Sequence, residues 1–142
     1  MGLILYAWVI MTNHVHLIIG TNKNPMQNIL RDFKSFASRK LKEELTNYHG
    51  ESRKGWMLWM FERAGQKNGN NGDWHPESFR DWQQHNHPIE LFNNKIIDQK
   101  LNYIHQNPVK AGHVQQAEDW TWSSAADYAG EKGDIIGVGF LD

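Results

Sequence analysis

Leu3-Ile4-Leu5-Tyr6-Ala7-Trp8-Val9-Ile10-Met11, then Thr12-Asn13, then His14-Val15-His16-Leu17-Ile18-Ile19-Gly20: this stretch decides the fold class. Its first segment is nearly all apolar and rich in strand formers, the pattern of a strand covered on both faces. Thr12-Asn13 is a short polar break, after which the chain resumes as strand until Gly20. The spacing predicts a hairpin, although Thr-Asn is not the strongest two-residue turn. Period-two geometry points His14 and His16 to one face, roughly 7 Å apart at the backbone for a rise of about 3.3 Å per residue. Val15, Leu17 and Ile19 then point into the core.

Beyond the hairpin the period changes from two to 3.6. Asn24 stands at an N-cap position with Pro25 at N1 and Gln27 at N3, a capping-box arrangement that opens a helix. Met26, Ile29, Leu30, Phe33, Phe36/Ala37, Leu41 and Leu45 recur at helical spacing, and the helix fades around Asn47 to Gly50. Its opposite side carries Arg31, Lys34, Ser35, Ser38, Arg39 and Lys42. A second helical piece runs from Arg53 to Gln66, a polar loop from Lys67 to Asp73, and a short strand from Phe79 to Gln84 that His85-Asn86-His87-Pro88 breaks. A further helix spans Asn94 to Asn107 with Ile97, Leu101 and Ile104 as its core stripe, and Gly112 marks the end of that element. Asp119 to Tyr128 reads as a short helical turn carrying Trp120 and Trp122. Strands followed by helices make this an α+β chain.

Composition narrows the classes. At 142 residues the chain is one domain, too short for two independent cores. Hydrophobic residues at 39%, including seven Trp, exclude a disordered chain. No apolar run is long enough to span a membrane, and the N-terminus has neither a basic lead-in nor a small-residue cleavage site. The absence of Cys excludes disulfides, Cys–Zn sites and thiol catalysis, and fits a reducing, cytoplasmic compartment. Eight His remain as metal-binding material. The formal net charge of −1 hides an asymmetry: ten Lys/Arg against five Asp/Glu between Lys23 and Lys67, and one Lys against six acids from His113 onward. A basic middle with an acidic tail is compatible with nucleic acid on one face, and equally with a solvated helix face.

The residues with chemistry are few. His14 and His16 can chelate one divalent ion, although paired His on a strand are also common as satisfied surface or core groups. Tyr103 and Asn107 lie one turn apart on one helix face, about 100° from the Ile97/Leu101/Ile104 stripe, so the phenol is partly exposed. The bland reading is a boundary Tyr with its hydroxyl in water. A phenol is a poor nucleophile near neutrality, and attack on a phosphodiester needs the phosphate charge neutralised. Two imidazoles and an amide oxygen supply N/O ligands suited to Mg²⁺ or Mn²⁺. His105 lies about 200° from Tyr103 around the helix and reads as structural.

Met11-Thr12-Asn13-His14-Val15-His16-Leu17-Ile18, followed much later by Tyr103-Ile104-His105-Gln106-Asn107-Pro108-Val109-Lys110-Ala111-Gly112, resembles the REP-associated tyrosine transposases. These belong to the single-tyrosine HUH transposase group, in which U is a hydrophobic residue, here Val15. Trp120-Thr121-Trp122-Ser123-Ser124 and Tyr128 resemble the element that follows the catalytic helix in that family. The resemblance runs from Leu3 to Gly130 within a single HUH domain, leaving residues 131–142 as a tail. It implies a ferredoxin-like antiparallel sheet with helices packed on it, His14 and His16 as metal ligands, Asn107 completing the metal site, and Tyr103 as the nucleophile that forms a 5′-phosphotyrosine link. It implies cleavage and rejoining of single-stranded DNA beside repetitive hairpins, as in transposition, by a monomer or a homodimer.

Family members usually carry Pro where Thr12 stands, and usually begin with a further strand and helix upstream of the segment matching Leu3. The expectation is an N-terminally truncated sheet whose edge exposes backbone groups. Binding of single-stranded or hairpin DNA calls for cations and flat side chains. Arg31, Lys34, Ser38, Arg39 and Lys42 form a backbone-contacting stripe, Trp82, Gln83 and His87 are candidates for base contacts, and Lys110 lies near any bound phosphate. Trp56, Trp59, Trp120 and Trp122 read as packing residues. Two other functions stay open: a non-catalytic hairpin-binding module, and a metal-dependent phosphodiesterase using activated water.

Overall fold

The computed structural model describes residues 2–66, 88–131 and 138–139. The fold is α+β, and among the described residues it is a two-stranded antiparallel sheet with four helices, consistent with a ferredoxin-like domain. The chain forms two compact units, one from residues up to Met26 together with those from Ile89 onward, the other from Gln27 to Pro88.

In the first unit, β1 (Leu3–Ile10) pairs antiparallel with β2 (Val15–Thr21). Met11 N–H donates to the His14 carbonyl at 2.8 Å, closing the hairpin around Thr12 and Asn13. The register places Val9 opposite His16 and Ala7 opposite Ile18, and slips at Tyr6, which has no partner across the ladder. The slip swings the Tyr6 ring across β2, where a Cβ on Gly20 would come within 2.9 Å of it. Glycine is what that close approach requires.

Opposed residues share a face, so Ala7, Val9, His16 and Ile18 lie on one side of the sheet. Ala7, Val9, Met11 and Ile18 form the core with Ile104 of α3 (Asn94–Lys110). The core therefore lies on the imidazole face. Val15, Leu17 and Ile19, expected to fill it, are half-buried on the other face, where Trp8 is fully buried. The reason is that α3 covers the His side, so Ile18 rather than its neighbours meets a helix.

Both ends of α3 are capped. Asn93 Oδ1 accepts from the Ile96 N–H at 2.9 Å. At the other end Gly112 takes φ +78, with Gly112 N–H donating to Val109 O and His113 N–H to Pro108 O, a Schellman motif. The helix runs to Lys110, past the expected end at Asn107, because Pro108 sits in its last turn with φ already helical and its ring buried.

The segment expected to be helical from Asp119 to Tyr128 is mostly not. A 3-10 turn covers Ala117–Asp119 and α4 only Ala125–Tyr128. Between them the chain pairs along the outer edge of β1: Ile10 N–H donates to Trp122 O at 2.8 Å, and Ser124 N–H to Trp8 O at 3.0 Å. Trp120 Nε1 donates to Ile10 O, and the Tyr128 hydroxyl donates to Tyr6 O. Backbone groups on this edge of β1 thus find partners late in the sequence.

In the second unit, α1 (Met26–Asn47) and α2 (Lys54–Gln66) start within a residue of where capping and periodicity put them. Ile29 is its deeply buried side chain among the described residues. Trp56 and Trp59 are 58% and 54% exposed, and Trp122 of the first unit is 52% exposed, so none of the three is the packing residue expected. Their helical or extended segments turn them outward while Trp8 and Trp120 take the interior positions. The expected loop at 67–73 and strand at 79–84 lie outside the described residues.

Candidate active site

His14 follows the two-residue loop and is exposed at the start of β2. Its Nδ1 donates to Asn13 Oδ1 at 2.6 Å. An amide oxygen only accepts, so in the neutral imidazole this bond places the proton on Nδ1 and leaves the Nε2 lone pair for a ligand. His16 is half-buried two residues on, its ring centroid 4.9 Å from that of His14 and nearly perpendicular to it. Burial, and then the charge of His14, hold the His16 pKa below the ordinary imidazole range. A neutral imidazole is the form that binds metal.

Tyr103 reaches the same place from α3. Its ring is 46% exposed and packs edge-on to His16 with centroids 5.4 Å apart. Lys100 Nζ and Lys110 Nζ each lie over the phenol ring, 5.7 Å from its centroid. Asn107, half-buried, stands one turn after Tyr103. Among the described residues no third His, Asp, Glu or Cys joins the imidazole pair.

What holds α3 in this position is a buried polar cluster. Ser124 Oγ accepts from the Trp8 N–H at 3.0 Å and lies 2.9 Å from His105 Nε2. His105 is buried, and burial lowers its pKa against the opposing pull of Asp127. It faces away from Tyr103, as its place on the helix requires, and ties α3 to the segment along β1. Ser124 and Asn13 were not singled out by sequence. The motif signature contains both, but their roles depend on partners that periodicity does not reveal. Lys100 was also missed, although its position three residues before Tyr103 puts it on the same helix face.

The remaining candidates are distributed differently. Arg31, Lys34, Ser38, Arg39 and Lys42 lie on α1, in the second unit. Arg31 pairs with Asp32 at 2.9 Å and Lys42 with Glu62 at 3.5 Å. Trp82, Gln83 and His87 lie outside the described residues. Lys110, at the end of α3, is with Tyr103.

Among the described residues no helix is long and apolar enough to cross a membrane. Comparison with curated proteins and with solved structures finds no match. Residues 1–62 match the model of a family described as "Transposase IS200 like". The matched stretch contains the hairpin, the imidazole pair, α1 and most of α2, whereas Tyr103 and Asn107 fall beyond it. Over those residues the chain is similar to IS200-like transposases.

Proposed function

We propose that this chain cuts and rejoins single-stranded DNA beside repetitive, REP-like hairpins, with Tyr103 as nucleophile. The observation that carries the reading is the 5.4 Å edge-on approach of the Tyr103 ring to His16, itself 4.9 Å from the His14 ring. Two elements far apart in sequence bring a phenol and an imidazole pair to one exposed patch. Packing alone asks for no such combination.

The donor set fits a divalent ion: Nε2 of His14 free of its own hydrogen bond, a His16 whose pKa burial holds below the ordinary imidazole range, and the amide oxygen of Asn107. Mg²⁺ or Mn²⁺ held by these three residues would polarise the scissile phosphate. Tyr103 Oη attacks phosphorus, the bond from phosphorus to the 3′ oxygen breaks, the phenolic proton passes to solvent and the 3′ oxygen takes one up. The products are a 5′-phosphotyrosine and a free 3′-hydroxyl. In rejoining, a 3′-hydroxyl attacks the phosphotyrosine, the bond to Tyr103 Oη breaks, and the phenol recovers its proton. One phosphodiester is exchanged for another, so no external energy source is needed. The α1 stripe of Arg31, Lys34, Ser38, Arg39 and Lys42 would contact the DNA backbone, with Trp82, Gln83 and His87 reading bases.

The test uses the full chain and a labelled pool of oligonucleotides, each a stem-loop flanked by randomised single-stranded arms. With Mn²⁺ or Mg²⁺ the expected product is a covalent protein–DNA adduct that survives denaturation. It should vanish on chelation and in Tyr103→Phe. Hairpin binding without adduct under either metal would make the chain a non-catalytic module. Cleavage that persists in Tyr103→Phe would make it a phosphodiesterase using activated water.

A further inference from the structure

We infer that Lys100 and Lys110 together stabilise the negative charge that the scissile phosphate of single-stranded DNA gathers while Tyr103 attacks. The inference rests on the assignment of Tyr103 as nucleophile and adds two catalytic cations to it. Lys110 was expected near a bound phosphate, Lys100 was not, and their convergence on one phenol is a property of the fold.

At about 100° per residue, Lys100, Asn107 and Lys110 all fall within about 60° of Tyr103 around α3. The neighbouring stripe, with Ile104 and Pro108 buried, faces the core. One face of the helix is therefore given over to a phenol, an amide and two ammoniums. Both Nζ atoms stand 5.7 Å from the centroid of the same ring. Among the described residues neither ammonium makes an ion pair, whereas Arg31, Lys40, Lys42 and Arg53 each meet a carboxylate. Two like charges on one aromatic ring repel each other, and an anion between them relieves that repulsion.

The chemistry gives such an anion a reason to be there. A phosphodiester carries one negative charge. Attack by the phenolic oxygen, before the 3′ oxygen leaves, concentrates further charge on the phosphoryl oxygens. Cations already in place at the nucleophile stabilise that state more than the ground state, which is how an electrostatic group accelerates a step. The imidazole pair touches the ring edge at His16, and the lysines lie over the ring itself. A phosphate within reach of Tyr103 Oη is thus approached by both kinds of group.

The experiment uses the full chain and the oligonucleotide that gives most adduct in the pool described above. Lys100→Gln, Lys110→Gln and the corresponding arginine variants are compared with the unaltered chain in single-turnover adduct formation at saturating DNA. DNA affinity is measured separately on the same oligonucleotide without metal. Each glutamine variant should slow adduct formation by about 10- to 100-fold while changing affinity less than about 3-fold, and arginine should restore most of the rate. Thermal melting of each variant matching the unaltered chain excludes misfolding as the cause. Rates unchanged at saturation, or losses confined to affinity, would overturn the inference and leave Tyr103 chemistry standing. No adduct from the unaltered chain would overturn both.

Discussion

The hairpin–α3 unit and the α1–α2 unit both carry many aromatic residues and end up different. In the first, a core of Ala7, Val9, Met11, Ile18 and Ile104 is stitched by hydrogen bonds between residues as far apart as Trp8 and Ser124, 116 positions in sequence. In the second, Ile29 is the deeply buried side chain among the described residues, and the ion pairs join near neighbours or the two helices. The difference teaches where a precise site can form. Groups that must meet within a few ångströms need elements fixed by long-range contacts, as His14, His16 and Tyr103 are. Groups that meet a flexible polyanion need only be charged and outward-facing, as the α1 cations are.

That contrast can be broken by substitution. The largest expected effect is on the proposed metal site. Asn13→Ala removes the acceptor that fixes the His14 tautomer, and should raise the Mn²⁺ concentration needed for adduct formation by about 10- to 100-fold. Stability should hardly move, because Asn13 is exposed. A Mn²⁺ titration that superimposes on that of the unaltered chain would show that His14 needs no such orienting partner.

Next comes the framework. Ser124→Ala leaves the Trp8 N–H and His105 Nε2 without their shared hydroxyl in a buried setting. Urea unfolding should report a loss of about 1–3 kcal/mol. Trp59→Ala in the second unit should cost less than about 1 kcal/mol, since that side chain is half-exposed and its defined contact is Arg63 lying 5.2 Å over the ring. Equal losses at the two positions would erase the distinction between the units. The smallest effect is on the α1 stripe. Arg39→Gln should weaken oligonucleotide binding evenly across sequences and reduce the slope of log affinity against log salt by about 1, measured by titration at several salt concentrations.

Much of this was legible beforehand because its causes are local. The hairpin follows from two apolar runs and a polar pair, α1 and α2 from periodicity, and the shared face of His14 and His16 from the pleat alone. Tyr103 and Asn107 lie together for the same kind of reason, one turn apart on a helix. The errors occurred where a distant segment decided. Val15, Leu17 and Ile19 were expected inside because alternation cannot say which face a helix will cover. The chain from Trp120 to Ser124 was expected to be helical, but the unfilled backbone groups on the outer edge of β1 recruit it into an extended path. Pro108 was expected to lie beyond the helix, and the Schellman turn at Gly112 carries the helix past it.

By itself, then, the sequence determined the elements, the identity of the reactive side chains and which neighbours along one strand or helix share a face, since these depend on dihedral preference and periodicity. Only the tertiary structure decided that the imidazole face is the one α3 covers, that Tyr103 lies against His16, and that Lys100 and Lys110 converge on one phenol. Those are contacts between elements, set by which apolar surfaces and unpaired backbone groups find each other, and no local pattern encodes a partner.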